Sequence, residues 1–270
     1  MPVINTNTNS QYAQDALKVN SKAMSTAMQQ LATGNRINQA RDDAAGLSIG
    51  QNMTSQVRGL NMAVRNVNDG INQLQTADGA LVETSNMLQR MRELAVQSSN
   101  ATNSEKQREY LQSEYSSLQV EITRIASNTT WNQAGLFGVS LVYQAGMSSG
   151  QTISVQLASM DSGSLGISGT VTTVSTFAKS QAAIGLVDSA IDIVNAARST
   201  MGGIMNQLSY SADNMVNIST NIAASRSTVM DTEYATASAQ LSKSQIVQQA
   251  ATAMLVQANQ QPQSVLALIK

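Results

Sequence analysis

From Tyr12 onward the apolar positions recur with the spacing of a helix. Ala13, Leu17, Asn20, Met24, Ala27 and Leu31 are separated by alternating steps of 4 and 3 residues, the heptad spacing of a helix that faces one partner. Gly34 supplies a stop. The ten residues of the polar start, Met1 to Ser10, read as an arm with little order of its own. A longer run follows. Val57, Leu60, Val64, Val67, Ile71, Leu74, Ala77, Leu81, Thr84, Leu88, Met91 and Ala95 step by 3 or 4 throughout. That predicts one helix of about forty residues, roughly 60 Å long at 1.5 Å per residue. Gly70 and Gly79 stand inside it, at a cost of about 1 kcal/mol each relative to alanine. Asn100 to Ser104 reads as a loop. Ser104 then caps a further helix with Glu105 in its first turn and Leu111, Tyr115, Leu118, Ile122 and Ile125 on its core face. The short loop predicts an antiparallel pair.

Helical spacing is lost between Asn128 and Gly169. Val139, Leu141 and Tyr143 alternate with polar neighbours, as do Ile153, Val155 and Leu157, and Gly146 to Gly150 lies between them. This predicts a β-hairpin, then irregular turns, then a connector at 170–179. Ile184, Val187, Ile191, Val194, Met201, Leu208, Met215, Ile218 and Ile222 restore the helical pattern. They predict a second helix of about forty residues, antiparallel to the first long one. Residues 33–48, with Arg36, Arg41, Asp42 and Asp43, and residues 225–231 read as matching connectors.

The tail from Leu241 reads as a helix through about Gln260, stopped before Pro262 and followed by a short apolar end. Leu241, Val247, Ala251, Met254 and Ala258 lie near one face, and Ile246, Ala250, Ala253 and Leu255 widen it. A helix apolar on most sides has to be buried on most sides. A large monomeric core is one way to do so. Pairing of the two chain ends, with the remainder covered by other copies of the chain, is the other. The second is preferred here, and it assigns subunit assembly to Leu17, Met24, Leu31, Leu241, Val247, Ala251, Met254 and Leu255. The fold expected is mainly α: an elongated nested helical hairpin with a small β-hairpin region. Residues 1–44 and 226–270 would form a terminal coiled-coil domain. Residues 45–225 would form a rod domain with helices at about 48–99, 104–128 and 181–224 and a β region at about 135–170. Its core would hold Leu60, Val64, Val67, Ile71, Leu74, Leu81, Leu88, Ile122, Ile191, Val194 and Leu208. Such a subunit, making heterologous contacts, builds open helical filaments when the rotation between copies does not close.

Composition narrows the chemistry. Cysteine and histidine are both absent from the 270 residues. That excludes disulfides, thiol nucleophiles, Cys or His metal sites and the Ser-His-Asp triad. The adjacent acids Asp42 and Asp43 stand in no calcium-loop pattern, and no phosphate-binding glycine motif occurs. No cofactor and no enzymatic activity are expected. Net charge is −1, with only 12% charged residues, so nothing marks a nucleic-acid or membrane partner. No apolar run reaches the ~18 residues of a spanning helix. The first residues carry neither a basic nor an apolar signal region, so no cleaved signal peptide is expected.

Several long stretches carry a resemblance. They are 31–47 (LATGNRINQARDDAAGL), 58–61 (RGLN), 68–71 (NDGI), 89–97 (QRMRELAVQ) and the tail from Leu241 to Lys270. In this order they resemble bacterial flagellin over nearly the whole chain, apart from roughly 131–180. The resemblance implies a terminal coiled coil lining a filament channel, surrounded by a rod domain. It implies unfolded export through the flagellar type III apparatus to an extracellular filament used for motility. It also implies an export chaperone, a filament cap and hook–filament junction proteins as partners. The chain resembles a short form, without the large variable outer domains that the family inserts near 170–179. Thr228 and Met230 fall where the family usually has an arginine and an acidic residue, and Trp131 where it commonly has Phe or Tyr. A hook–filament junction protein is the alternative. Some flagellins are ligands of Toll-like receptor 5, and the motif for that matches Gln89, Arg90, Leu94, Gln97 and Glu114.

Overall fold

A computed structural model of the chain describes residues 6–169 and 172–267, with the main chain alone at 261–267. The described residues form helices α1 (Thr8–Thr33), α2 (Ala44–Ser98), α3 (Glu105–Asn128), α4 (Phe177–Met230) and α5 (Tyr234–Ala267). Between α3 and α4 lie two hairpins, β1 (Thr130–Trp131) with β2 (Ala134–Gly135), and β3 (Val139–Gln144) with β4 (Thr152–Leu157). The fold is thus mainly α with a small β region, as the periodicity predicts. Packing divides the chain into two units. One holds residues up to Val57 and from Thr220 on; the other holds Arg58–Ser219. Both divisions fall inside long helices, α2 and α4, rather than at the expected 44/45 and 225/226.

In the terminal unit α1 and α5 pack antiparallel. Asn7 meets Ala258 near one end, Asn20 meets Ser244 in the middle, and Asn35 bridges Asp231 at the other end. The inner face of α1 is Ser10, Ala13, Leu17, Asn20, Met24, Ala27 and Leu31, all buried or half-buried. Its partner face on α5 is Ala237, Leu241, Ser244, Gln248, Ala251, Leu255 and Ala258. Both step by 3 and 4, the knobs-into-holes register. Asn20 is a polar residue in that seam, and its Nδ2 donates to the Ser244 carbonyl at 2.7 Å. α1 ends on Gly34 at φ 72°, in the left-handed region that glycine enters without strain. The connectors meet through their main chains: Arg36 N–H donates to the Met230 carbonyl and Thr232 N–H to the Gly34 carbonyl.

Three expectations need correction here. The polar arm is shorter than ten residues, because α1 begins at Thr8 and Ser10 is buried; its first five residues lie outside the described ones. The connector expected at 225–231 is largely helix, since α4 runs to Met230 and leaves only Asp231–Glu233 before α5. And α5 does not stop before Pro262 but continues to Ala267. Inside a helix proline removes one main-chain donor and crowds the carbonyl four residues back, that of Ala258, yet α5 carries on past it. Residues 268–270 of the expected apolar end lie outside the described ones.

The central unit is built on three helices and the larger hairpin. α2 contributes Leu60, Ala63, Val67, Leu74, Ala77, Leu81, Leu88, Met91, Leu94 and Ala95 to its interior, each under a twentieth exposed. Ala183, Val187, Ala190, Val194, Met201 and Leu208 of α4 and Tyr115 and Ile122 of α3 are likewise buried. Of the expected core residues Val64, Ile71 and Ile191 are only half-buried, and their small neighbours Ala63, Gly70 and Ala190 occupy the seam instead. Side-chain pairs fix the antiparallel order of α2 and α4: Asn61 with Ser219, Asp78 with Arg198 at 2.8 Å, and Arg92 with Asp188 at 2.6 Å. α3 starts from a capping box, in which Gln107 N–H donates to Ser104 Oγ and Ser104 N–H donates to Gln107 Oε1.

The larger hairpin pairs Leu141 with Val155 and Tyr143 with Ile153. Tyr143, Val155 and Leu157 turn inward. Tyr143 lies over Gly70, where an added Cβ would stand 2.7 Å from the ring, and its hydroxyl hydrogen-bonds Gln73 at 3.0 Å. Burial pushes the Tyr143 phenol from 10.0 up to about 12. The smaller hairpin was not expected: its turn residues Asn132 and Gln133 take positive φ without glycine. The stretch expected as a connector at 170–179, whose first two residues lie outside the described ones, is partly core. Thr172 and Val174 are buried, tied to Gln119, Gln112 and Ser98, and α4 begins at Phe177.

Candidate assembly surface

The terminal pair buries one face and leaves the other open. Leu17, Met24, Leu31, Leu241, Ala251 and Leu255, all assigned to assembly from the sequence, are half-buried. They belong to the α1–α5 seam. Val247 and Met254 lie beside it, 41% and 65% exposed. The outward face carries further large apolar side chains. Tyr12 and Val19 on α1 and Ile246 and Val256 on α5 are each more than half exposed. Tyr12, Ala13, Ala16, Ala251, Met254 and Ala258 line a shallow, mostly apolar groove where the helices meet. Large apolar side chains left this exposed mark contacts waiting to be made. Charge is sparse on both helices, so closing it would desolvate few ions. The sequence reading named the seam side of this surface. It missed Tyr12, Val19 and Val256, which lie off the heptad positions, and it missed Ser244 and Gln248 inside the seam because they are polar.

A second set lies on α2 and α3. Arg90 is exposed and forked between two carboxylates, with Nη1 donating to Glu93 and Nε to Glu114, each at 2.9 Å. Glu93 first and Glu114 second hold the guanidinium above its ordinary pKa. Gln89, Gln97 and Glu114 are exposed as well. Leu94 is not. It is fully enclosed in the central core, so the structure corrects its placement among partner-facing residues: its position on α2 points it toward the interior, beside Met91 and Ala95. Among the described residues no three acidic side chains gather where a metal ion could be held.

Fold and surface together define a class: mainly helical chains whose two ends pair with each other and leave an apolar face uncovered. Residues 4–140 match the bacterial flagellin N-terminal helical region, and residues 184–269 the bacterial flagellin C-terminal helical region. The chain is 39% identical to a flagellin of Halalkalibacterium halodurans over 271 residues, covering 99% of this chain and 100% of that one. It is 37% identical over 284 residues to the flagellar filament core protein flaB2 of Brachyspira hyodysenteriae, covering 99% and 100%. A crystal structure of Bacillus cereus flagellin matches with a TM-score of 0.50 at 33% identity, over 60% of this chain and 94% of that one. The chain belongs to the bacterial flagellin family.

Proposed function

We infer that this chain is the structural subunit of a bacterial flagellar filament, a building element rather than an enzyme. The observation that carries the reading is the uncovered apolar face of the α1–α5 pair, where Ile246 is 67% exposed and Met254 65%. A monomer gains nothing by presenting such a face, whereas a neighbouring copy covers it. Whole-length relatives named flagellin and flagellar filament core protein support the same reading and give no preference to the hook–filament junction alternative. The filament is extracellular. Export without a cleaved signal, and contacts with an export chaperone, a cap and junction proteins, follow from the family likeness.

Electron microscopy of the purified chain after seeding tests this, with fibres of regular diameter expected. Limited proteolysis adds a second readout. The terminal helices lose backbone entropy on ordering that neighbouring copies offset. Unassembled chain should therefore be trimmed to a core of roughly 45–225, following the proposed division into terminal and rod domains. Assembled chain should resist. Equal resistance of the ends in both states would count against the reading.

A second reading, as a ligand of Toll-like receptor 5, is favoured by one observation. Gln89, Arg90, Gln97 and Glu114 are exposed on neighbouring helices, with Arg90 and Glu114 joined. Leu94 would act only from beneath, by holding α2 in place.

A further inference from the structure

Asn7 stands where the two chain ends meet and uses both atoms of its amide. Its Oδ1 accepts the Ser10 backbone N–H at 3.1 Å, which caps α1. Its Nδ2 donates to the backbone carbonyl of Ala258 on α5 at 2.8 Å. In an α-helix that carbonyl accepts from the N–H of residue 262. Residue 262 is proline and has no N–H to give. Yet α5 continues to Ala267. The missing rung of α5 is therefore supplied from outside it, by the residue that caps α1.

The second asparagine of the seam shows the difference. Asn20 donates to the Ser244 carbonyl at 2.7 Å, but residue 248 is a glutamine whose N–H serves that carbonyl within the helix. The Asn20 bond is an addition; the Asn7 bond is a replacement. A carbonyl left without any donor in a partly buried place costs more than an extra bond gains. The placement also discriminates register. A shift of α1 along α5 would bring the Asn7 amide to a carbonyl already bonded in its own helix and leave Ala258 bare.

We propose that Asn7 is a positioning residue for assembly. By donating to the carbonyl that Pro262 leaves without a helical partner, it sets the register of α1 against α5. It thereby makes the order of the last turns of α5 depend on the N-terminal helix. The bond lies within the terminal pair itself and forms wherever that pair is ordered, in the single chain or in a filament.

Amide hydrogen exchange on the full chain tests this, read over segments 6–16 and 250–260 in dilute and in seeded samples. Asn7→Ser keeps an N-cap oxygen but is too short to reach α5. Pro262→Ala returns the N–H to the helix. Asn7→Ser alone should speed exchange in both segments by roughly five- to tenfold, the loss of one hydrogen bond. In the Pro262→Ala background the same change should act by less than about twofold, because both changes act on one carbonyl. Equal acceleration in the two backgrounds, no acceleration by Asn7→Ser, or unprotected ends in the unaltered chain under both conditions would overturn the proposal. Absence of fibres with the exchange coupling intact would instead tell against the filament reading alone.

Discussion

At the residue scale, small side chains decide where elements can meet. Gly70 is unfavourable for helix propensity, yet Tyr143 occupies the space a Cβ would need. Gly79 has nothing within 4 Å of that position. Gly70→Ala should therefore destabilise, since overpacking costs about 1–3 kcal/mol against a propensity gain of about 1. Gly79→Ala should stabilise by about 0.5–1 kcal/mol. Thermal unfolding of the two variants should move in opposite directions. The tyrosine itself gives a pH signature. Its folded pKa, about 12, lies above the ordinary 10.0, so its contribution is complete below pH 10.0 and is lost as pH rises toward 12. Titration of stability across that window should be shallower for Tyr143→Phe. Arg90→Ala should leave the thermal transition nearly unchanged, because exposed ion pairs contribute little. If the receptor reading holds, it should weaken signalling in a receptor-reporter assay with unassembled chain. Equal signalling by both proteins, or silence from the unaltered chain, would remove that reading.

At the element scale, long helices were the most legible feature and their ends the least. The heptad runs on α1, α2 and α4 identify the elements because burial repeats faithfully over many turns. What bulk could not reveal was the seam itself. Ala63, Gly70 and Ala190 lie inside the central unit and Ser244 and Gln248 inside the α1–α5 seam, whereas a reading weighted toward large apolar residues chose Val64, Ile71 and Ile191 beside the first and Val247 and Met254 beside the second. Close approach selects small side chains at Ala63, Gly70 and Ala190, and Ser244 and Gln248 are polar, so neither group carries the large-apolar signal of a core position. Pro262 misled for a related reason. Its local rule is a stop, and the donor that overrides the rule sits 255 residues earlier, at Asn7. The small hairpin escaped because its turn uses Asn132 and Gln133 where the usual signal is Asn-Gly or Gly. The core of the central unit is a firmer matter. Leu74 is fully buried on α2, so Leu74→Asp should cost about 3 kcal/mol or more and collapse the thermal transition. An unchanged transition would mean that this face of α2 does not pack.

At the scale of the whole molecule, the two units have different kinds of completeness. The central unit closes its core: Leu74, Leu88, Val187 and Leu208 are all fully buried in the single chain. The terminal unit closes the α1–α5 seam and the packing around Ile37 and Gly50. Its outer face keeps Tyr12, Val19, Ile246 and Val256 in solvent, a cost that contact with like copies would remove. Ile246 separates folding from assembly, because it is 67% exposed and off the seam. The most direct test is seeded growth of the full chain beside Ile246→Glu, followed by sedimentation and electron microscopy, with thermal unfolding as the control. The unaltered chain should form sedimentable fibres of uniform diameter. The variant should unfold within about 0.5 kcal/mol of it, as exposed substitutions do, and form none. An unaltered chain that stays monomeric when seeded, or a variant that assembles equally well, would contradict the account.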